Sequence, residues 1–556
     1  MTFKPAIARW LPSYERSWLR ADAVSGSTVA AVMIPSALSY AAIVGVEPIV
    51  GLYTVPFALI AYAIFGGSRL LAVGPDAAVS VLAASTIAAV ATDDENYLEV
   101  MLALSLIVGA VYLLFALLRM GWIADLVPDP VLKGFIQGLV WVTILGQVPD
   151  LLGVTPEEDF PDFWRDFREI VQVLDDIQTQ TAVLGIGSLV TLYLLKRFVP
   201  KIPGSLVVLI GSMVIVAAAS LGDEGVAVVG EPSGGFFNFG LPSGLSAGQW
   251  VDLIPGAAAI VVLGFTESMG AAKSAAQKTG ERLDPNEELL ALGTSNLGSG
   301  LAGGYPVTGT LSKTSVAMSS GGKTQLGNVF AAILAILSVL ILKPLFEQLA
   351  STVLAALIIF AMAGMLDLGF VSRLWRVGRG ECLLAVLAFL GVLTFGVLAG
   401  VVIGVVFALG LLVEHISRAK AMVVGRTPDG EWRDVAVVAD AVPPGGMFVF
   451  RYEGPIVFVN ARSITDQIRL LVGPDVKVVL LDTSAVSSFD STGLAMMTML
   501  RDELAARSVE FWLVNPSIRK RRMLDGEGEA LGVILPKRFD SIDEAVADFQ
   551  RSRGAS

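Results

Sequence analysis

Long apolar runs recur along the chain from about residue 22 to residue 414, separated by shorter polar segments. A membrane-spanning helix needs about 20 predominantly apolar residues. The predicted spans are 22–43, 48–66, 76–91, 98–118, 131–148, 182–196, 204–221, 252–272, 287–302, 307–319, 325–342, 347–366, 381–397 and 398–414. The third and tenth are short, and each is opened by a proline, Pro75 and Pro306. The pattern therefore predicts a polytopic α-helical membrane protein with about fourteen spans.

Basic residues and acidic residues predominate in alternate loops along the chain. If the N-terminus is cytoplasmic, most loop lysines and arginines fall on the inside: Arg69, Arg119, Lys196, Arg197, Lys201, Lys273, Lys278, Arg282, Lys323, Arg373, Arg376 and Arg379. The outside loops carry mainly acids, at 93–95, 157–159, 223–224 and 231. This positive-inside bias requires an even number of spans. We expect a multi-pass protein of the cell membrane with both termini cytoplasmic, and an external amphipathic helix within residues 149–181.

The two short spans occupy the same place in two halves of seven spans. Because seven is odd, the second half is inverted relative to the first. Interrupted spans at matched positions of inverted repeats indicate the binding site of a transporter. The sequence therefore predicts 7+7 inverted repeats with a site between spans three and ten.

The composition changes after Glu414, where strand-length apolar runs alternate with helical patterns. Strands are predicted at "GMFVFRY", "GPIVFVNA", "VKVVLLDTSAV" and "VEFWLVN", and helices at "SITDQIRLLVG", "TGLAMMTMLRDELAARS", "PSIRKRRMLDG" and "SIDEAVADFQ". We expect a cytoplasmic amphipathic N-terminus (1–20), a transmembrane domain (21–414), a linker with the start of the tail domain (415–445) and an αβ domain (446–553).

The composition excludes several classes of protein. Of 556 residues, 54% are hydrophobic and 16% are charged, with a net charge of −12, which argues against nucleic acid as a partner. The single Cys382 cannot form an internal disulfide, and the single His415 cannot anchor a multi-histidine metal site. No nucleophile–base–orienter arrangement is visible. The sequence predicts neither an enzyme nor a bound cofactor or metal.

The interrupted spans suit an anion. A half-helix that begins inside the membrane presents unpaired N–H groups and the positive end of its dipole. Pro75 and Pro306 suit the first helical position, and Lys313, about two turns further, supplies a positive field. The expected substrate-binding residues are Tyr40, Ala77, Ala78, Thr308, Gly309, Thr310 and Lys313. The alternative interpretation is two kinked, tightly packed helices.

Two acids lie near these positions. Glu267, late in the otherwise apolar eighth span, is a candidate carrier of a coupled proton or cation, since intramembrane acids are usually functional. The alternative is a solvated end of the helix or a pair with Lys273. Asp76 is expected to cap its half-helix, because a fixed negative charge that faces an anion site would weaken binding.

Several segments resemble the SulP family of anion transporters, called solute carrier family 26 in animals. The similar segments are "AAVMIPSALSYAAIVGVEPIVGLYT" (30–54), "AVGPDAAVS" (72–80), "FTESMGAAKSAA" (265–276) and "GGYPVTGTLSKTSV" (303–316). In the tail, "DTSAVSSFDSTG" (482–493) resembles the signature of STAS domains. The resemblance implies a core domain (spans 1–4 and 8–11), a gate domain, elevator-like transport and a homodimer. It also implies a regulatory phosphosite at Thr492, with Ser491 beside it; either hydroxyl could instead cap its helix.

Departures from the family pattern refine the substrate. Lys313 stands where relatives usually have arginine. Ala271 and Leu311 stand where sodium-coupled bicarbonate members have threonines, which leaves few oxygen ligands for sodium. The segment "PVTGTLSKTSV" resembles the sulfate-type branch of the family more closely. The resemblance therefore implies sulfate or a similar oxyanion, and we expect coupling to protons through Glu267.

Other functions stay open at this point. They are sodium-coupled or exchange transport of bicarbonate, chloride or a small dicarboxylate, a proton-coupled nucleobase carrier of the same architecture, an uncoupled anion channel, and a sensor whose membrane part only binds. Nucleobase recognition would favour acids in spans eight and ten, whereas span ten offers Thr308, Thr310 and Lys313.

Overall fold

The computed structural model describes residues 5–92, 94–125, 128–154, 177–200, 202–230, 239–417, 421–514 and 537–554, together with Phe163 and Phe237. The chain divides into two compact units, Met1–Ala408 and Leu409–Ser556. Most of the predicted external helix (149–181) and the helix predicted at "PSIRKRRMLDG" lie outside the described residues.

The membrane unit is helical, as the apolar runs predict. Its described helices are α1 Ile7–Trp10, α2 Leu19–Val44, α3 Pro48–Phe65, α4 Ala77–Val90, α5 Asp94–Leu117, α6 Asp129–Gly146, α7 Val148–Leu152, α8 Thr179–Phe198, α9 Gly204–Ala219, α10 Ala247–Asp252, α11 Ile254–Thr279, α12 Pro285–Leu301, α13 Leu311–Ser319, α14 Leu326–Phe346, α15 Ser351–Ala363, α16 Phe370–Val377, α17 Arg379–Phe395 and α18 Val397–Ser417. Within the described ranges, six helical segments are long and apolar enough to cross a membrane, and further apolar helices are shorter. The count of fourteen spans stays a prediction.

The helices of the membrane unit pack into two groups. The core group is α2–α5 with α11–α14, and the gate group is α6, α8, α9, α15 and α17; the main helix contacts fall within each group, and α2 also touches α9 and α15. Close approach depends on small residues, as is usual between membrane helices. A Cβ on Gly51 would overlap the carbonyl oxygen of Ala37 in the core group, and one on Gly134 would overlap that of Ala385 in the gate group.

Two very short strands interrupt the helices of the membrane unit. They are β1 Val73–Gly74, just before α4, and β2 Thr308–Gly309, just before α13. They pair with each other and form a two-stranded antiparallel sheet. All four residues are buried. The breaks in the third and tenth spans therefore meet inside the unit.

The second unit has the αβ architecture that the tail sequence predicts. Its strands are β3 Ala421–Arg426, β4 Trp432–Asp434, β5 Met447–Tyr452, β6 Gly454–Ile456, β7 Val478–Asp482, β8 Val486–Phe489, β9 Glu510–Val514 and β10 Lys537–Phe539, and its helices are α19 Ala461–Leu471, α20 Ser491–Ala506 and α21 Ile542–Gly554. One sheet has the order β10-β9-β7-β5-β3-β4, and β6 pairs with β8. Strands β5, β7, β9 and β10 are parallel, and β3 runs antiparallel to β5.

Apolar side chains cover both faces of this larger sheet, which explains the nearly continuous apolar sequence of its central strands. One cluster packs α19 and α20 against Phe448 and Phe450 of β5, and the other packs α21 against Met447 and Val449 of the same strand. The sheet begins before residue 446, because β3 and β4 lie in the stretch expected to hold the linker and the start of this domain.

Candidate anion-binding site

The candidate site lies where β1 pairs with β2. We call the place where the two broken spans meet at this strand pair the crossing. Val73 pairs with Gly309 and Gly74 pairs with Thr308, and the Thr310 N–H donates to the Ala72 carbonyl at 3.2 Å. Each strand leads into a helix N-terminus, α4 on one side and α13 on the other. Two dipole ends and their first N–H groups therefore begin beside the same strand pair, an arrangement that attracts an anion.

The prolines do not occupy the first helical positions, so that prediction is wrong. Helix α4 begins at Ala77, two residues after Pro75, and α13 begins at Leu311, five residues after Pro306. Pro75 directly follows β1 and Pro306 comes shortly before β2. Because proline has no N–H to donate and disfavours a helical residue before it, both prolines suit the ends of the extended segments.

Lys313 consequently lies in the first turn of α13, not about two turns along it as expected. Its side chain is buried, at 2% exposure, and its Nζ donates to the Pro75 carbonyl at 2.5 Å. The same Nζ lies 5.6 Å from the centre of the Tyr40 ring. One ammonium group thus links both broken spans with α2. It carries three donors, and among the described residues only the Pro75 carbonyl accepts from it.

The predicted ligands separate into two sets. Ala78 N–H donates to Asp76 Oδ2 at 3.0 Å, Gly309 N–H donates to Ser268 Oγ at 2.8 Å, and Thr308 Oγ1 donates to the Gly264 carbonyl at 2.7 Å. These three groups are engaged within the protein.

The second set is open to a ligand. Thr310 Oγ1 is buried and has no hydrogen-bond partner among the described residues. Ala77 is buried at the first position of α4, where an N–H has no partner within its own helix. Together with Lys313 and the Tyr40 ring beside it, these groups are the candidate ligands for an anion.

Two acidic residues lie near the crossing. Asp76 is the N-cap of α4, so its predicted capping role is confirmed. Glu267, half-buried in α11, is near enough to Asp76 and Lys313 to interact electrostatically with both. The site therefore combines two carboxyl groups and one ammonium group with two helix N-termini.

Two residues that the sequence analysis did not single out hold the extended segment in place. The side-chain amide of Asn296 in α12 accepts from the Val307 N–H and donates to the Val307 carbonyl, each at 2.9 Å. Ser268 in α11 bonds both Thr308 and Gly309. The available signal was an asparagine inside an apolar span and a serine next to Glu267, since polar residues inside the membrane usually have partners or functions.

A cavity of about 470 Å³ adjoins the crossing. The core group contributes Tyr40 and Ser312, and the gate group contributes Lys196 and Phe360. Other lining residues include Pro35, Ser36, Ser39, Pro200, Ser205 and Gly364. Lys196 Nζ lies 5.3 Å from the centre of the Phe360 ring. The sequence placed Lys196 only in a loop cluster, because nothing local shows that α8 faces α2.

In the second unit, the "DSTG" turn is capped by its acid. Asp490 accepts from the Gly493 N–H at 2.6 Å and from the Phe458 N–H at 2.8 Å. Ser491 and Thr492 are the first two helical residues of α20, and both are exposed. The alternative that one of these hydroxyls caps the helix is therefore wrong, and the phosphosite stays a prediction.

Comparisons with known proteins agree with this architecture. The sulfate permease family model matches residues 19–388, and the STAS domain model matches residues 439–545. The chain is 31% identical to a probable sulfate transporter of Mycobacterium tuberculosis, over 98% of this chain and 99% of that protein. It is 30% identical to the chloroplastic sulfate transporter 4.1 of Arabidopsis thaliana, over 92% of this chain and 77% of that protein.

Solved structures share the fold. The murine solute carrier 26 family member A9 anion transporter in its inward-facing state has a TM-score of 0.92 at 21% identity, and the match covers 99% of this chain and 94% of that one. The transmembrane domain of the cyanobacterial bicarbonate transporter BicA has a TM-score of 0.63 at 22% identity, and the match covers 71% of this chain and 99% of that one.

The fold and these matches define a multi-pass membrane transporter of small anions with a C-terminal STAS domain. The chain belongs to the sulfate permease family, also known as SulP or solute carrier family 26. Family members are transporters and not enzymes. The fold class and the family resemblance predicted from the sequence are confirmed.

Proposed function

We propose that the protein carries sulfate, or an oxyanion of similar size, bound between the N-termini of α4 and α13. The observation that carries this proposal is the β1–β2 crossing, which aims two helix N-termini and the buried Lys313 at one place. Thr310 Oγ1 and the Ala77 N–H supply further donors, and Tyr40 lines the pocket beside Lys313. The sulfate transporters among the relatives favour sulfate over other anions.

Charge balance supports proton coupling through Glu267. With Asp76, Glu267 and Lys313 all ionised, the site carries one net negative charge, which opposes a dianion in a medium of low dielectric constant. A proton on Glu267 removes that charge, so proton entry and anion entry favour each other. Sodium is less suited, because a sodium site needs several oxygen ligands and the side chains of Ala271 and Leu311 supply none. Ala271 is buried and Leu311 is an exposed apolar side chain.

The cavity supports an elevator-type movement of the core group against the gate group. Its walls come from α2 and α13 on one side and from α8, α9 and α15 on the other. Lys196 and Pro200 lie at the loop end that the charge pattern assigns to the cytoplasm, so the cavity opens inward. We place both termini in the cytoplasm, and we expect a homodimer.

Bicarbonate is the second candidate substrate, because the fold is also that of a bicarbonate transporter. Backbone N–H groups and one lysine bind either anion. The test must therefore compare the two anions directly.

Counterflow of labelled sulfate in proteoliposomes tests the proposal. We expect uptake to be accelerated by an inward proton gradient, to be indifferent to sodium, and to be competed by sulfate more strongly than by bicarbonate. Glu267→Gln should abolish the response to the proton gradient, and Lys313→Ala should raise the sulfate KM. The exposed Lys323 gives a matched control, Lys323→Ala. Sodium-driven uptake that ignores the proton gradient would overturn the coupling proposal.

We also propose that the tail regulates transport through the exposed hydroxyls of the "DSTG" turn. A phosphate on Ser491 or Thr492 would lie at the positive end of the α20 dipole, where negative charge is favoured. Phosphopeptide mapping of protein from cells grown at low and high sulfate should find one of them modified under one condition. An unmodified turn under both conditions would remove this proposal.

A further inference from the structure

The short helix α16 (Phe370–Val377) joins α15 to α17 and separates apolar from charged side chains sharply around its axis. Phe370 and Leu374 are buried against Cys382 and Ala385 of α17. At 100° per residue, Ser372, Arg373 and Arg376 occupy one continuous sector of the helix surface, and the five apolar side chains occupy the rest. The helix is thus amphipathic in the three-dimensional structure and not only in its sequence.

Protein covers only part of the apolar side. Val371 and Trp375 continue the face that begins at Phe370 and Leu374, yet they are 39% and 60% exposed. Leu368, just before the helix, is 81% exposed. A tryptophan and two aliphatic side chains therefore form an uncovered apolar strip directly beside the helix–helix contact with α17.

Three arginines accompany this strip. Arg373 pairs with Asp367. Arg379 lies with its guanidinium 5.7 Å from the centre of the Trp375 ring, and Arg376 makes no ion pair with any part of the chain that the structure describes. Tryptophan on the apolar side and arginine on the polar side are typical of helices that lie in the membrane–water interface.

The position of α16 in the chain indicates that its partner is a lipid surface. The next helix, α17, begins at Arg379, only two residues after α16 ends, so α16 lies at the end of an apolar membrane helix. The loop from 367 to 380 is one that the charge pattern assigns to the cytoplasm. Anionic phospholipids supply both an apolar layer for Trp375 and phosphate groups for the arginines, and each arginine near such a surface strengthens binding about fivefold.

We propose that α16 is an interfacial anchor that binds anionic phospholipids of the cytoplasmic leaflet. Val371 and Trp375 enter the acyl region, and Arg373, Arg376 and Arg379 contact the phosphate groups. Because α16 is attached to α17, bound lipid holds the gate group at the membrane surface. This surface is separate from the anion site, and its test needs no transport measurement.

A fluorescent probe locates the helix relative to the bilayer. The only cysteine is removed with Cys382→Ala, and the full chain carrying Val371→Cys or, as matched control, Ser372→Cys is labelled with bimane in liposomes. We expect doxyl-labelled lipid to quench the probe at 371 and aqueous iodide to quench the probe at 372. Iodide quenching at both positions, without lipid quenching, would overturn the proposal.

The same probe measures the preference for anionic lipid. At equal mole fractions, doxyl-phosphatidylglycerol should quench the probe at 371 more strongly than doxyl-phosphatidylcholine. We expect Arg376→Gln to weaken the local enrichment of phosphatidylglycerol about fivefold, and high salt to act in the same direction. Arg462→Gln, the same change on the exposed face of α19, should have no effect. Equal quenching by both lipids would contradict a role for the arginines.

Discussion

At the scale of single residues, the anion site depends on which donors are already engaged. Thr308 and Thr310 are two residues apart, yet Thr308 Oγ1 bonds Gly264 and Ser268 whereas Thr310 Oγ1 has no partner among the described residues. A buried hydroxyl without a partner is costly, and an incoming oxyanion removes that cost. The two threonines should therefore respond differently to the same substitution.

Thr310→Val should weaken anion binding without weakening the fold. A hydrogen bond to a charged ligand contributes about 1.5 kcal/mol or more, so we expect the sulfate KM to rise about tenfold while the melting temperature stays close to that of the wild type. Thr308→Val should instead lower the melting temperature, since it breaks bonds within the protein. An unchanged KM in Thr310→Val would contradict the proposed ligand set.

Asn296 should act as a positioning residue. Asn296→Ala leaves the buried N–H and carbonyl of Val307 without their side-chain partners, which costs about 2 kcal/mol. We expect a lower melting temperature in detergent and a lower maximal rate of sulfate counterflow. Thr294→Val in the same helix is the control, because that hydroxyl donates to the Ala291 carbonyl of its own helix. Equal melting temperatures for all three proteins would contradict this role.

At the scale of elements, the crossing requires α11 to approach β2 closely. A Cβ on Gly264 would lie 2.8 Å from the Tyr112 hydroxyl and 2.9 Å from Thr308 Oγ1. In the same helix, Gly270 has open space around the corresponding position. Comparing an alanine at position 264 with an alanine at position 270 therefore separates the effect of packing at the crossing from the effect of alanine on the helix.

Gly264→Ala should therefore displace β2 and impair transport. Overpacking of this kind costs about 1–3 kcal/mol, and the displaced strand carries Thr310 and Lys313 with it. We expect slower sulfate counterflow and a higher KM, and no loss for Gly270→Ala. Wild-type kinetics in Gly264→Ala would show that the position of β2 does not govern binding.

The elements also show what the sequence can and cannot reveal. The apolar runs predicted the long helices, and the position of Asp76 at the start of a half-helix predicted its capping role, because a carboxylate there complements the helix dipole. Strands of two residues have no hydrophobic period to detect, so the sequence located the breaks at Pro75 and Pro306 but started both helices too early. The hydrogen bonds of Asn296 reach Val307, eleven residues further along the chain. No local sequence pattern predicts a contact at that distance.

At the scale of the whole molecule, the cavity between the core and gate groups is the route that we propose between the anion site and the cytoplasm. Its walls come from helices that are distant in sequence, from Ser36 in α2 to Phe360 in α15. The half-helices are marked by local motifs and could be predicted from the sequence, whereas the place of Lys196 in the cavity could not.

Labelling tests the side on which the cavity opens. In a Cys382→Ala background, Ser36→Cys should react with a membrane-impermeant thiol reagent in inside-out vesicles and much more slowly in right-side-out vesicles. Saturating sulfate should slow the reaction, because the cavity adjoins the anion site. Faster labelling from the external side would contradict both the inward opening and the assignment of the loops to the cytoplasm.

The central claim is that an oxyanion binds where the two broken helices meet. Anomalous diffraction from crystals grown with selenate, a heavier analogue of sulfate, tests it most directly. We expect one selenium peak at the N-termini of α4 and α13, from a selenate ion with oxygens about 3 Å from Thr310 Oγ1 and Lys313 Nζ. A peak beside Lys196 with none at the crossing would contradict it.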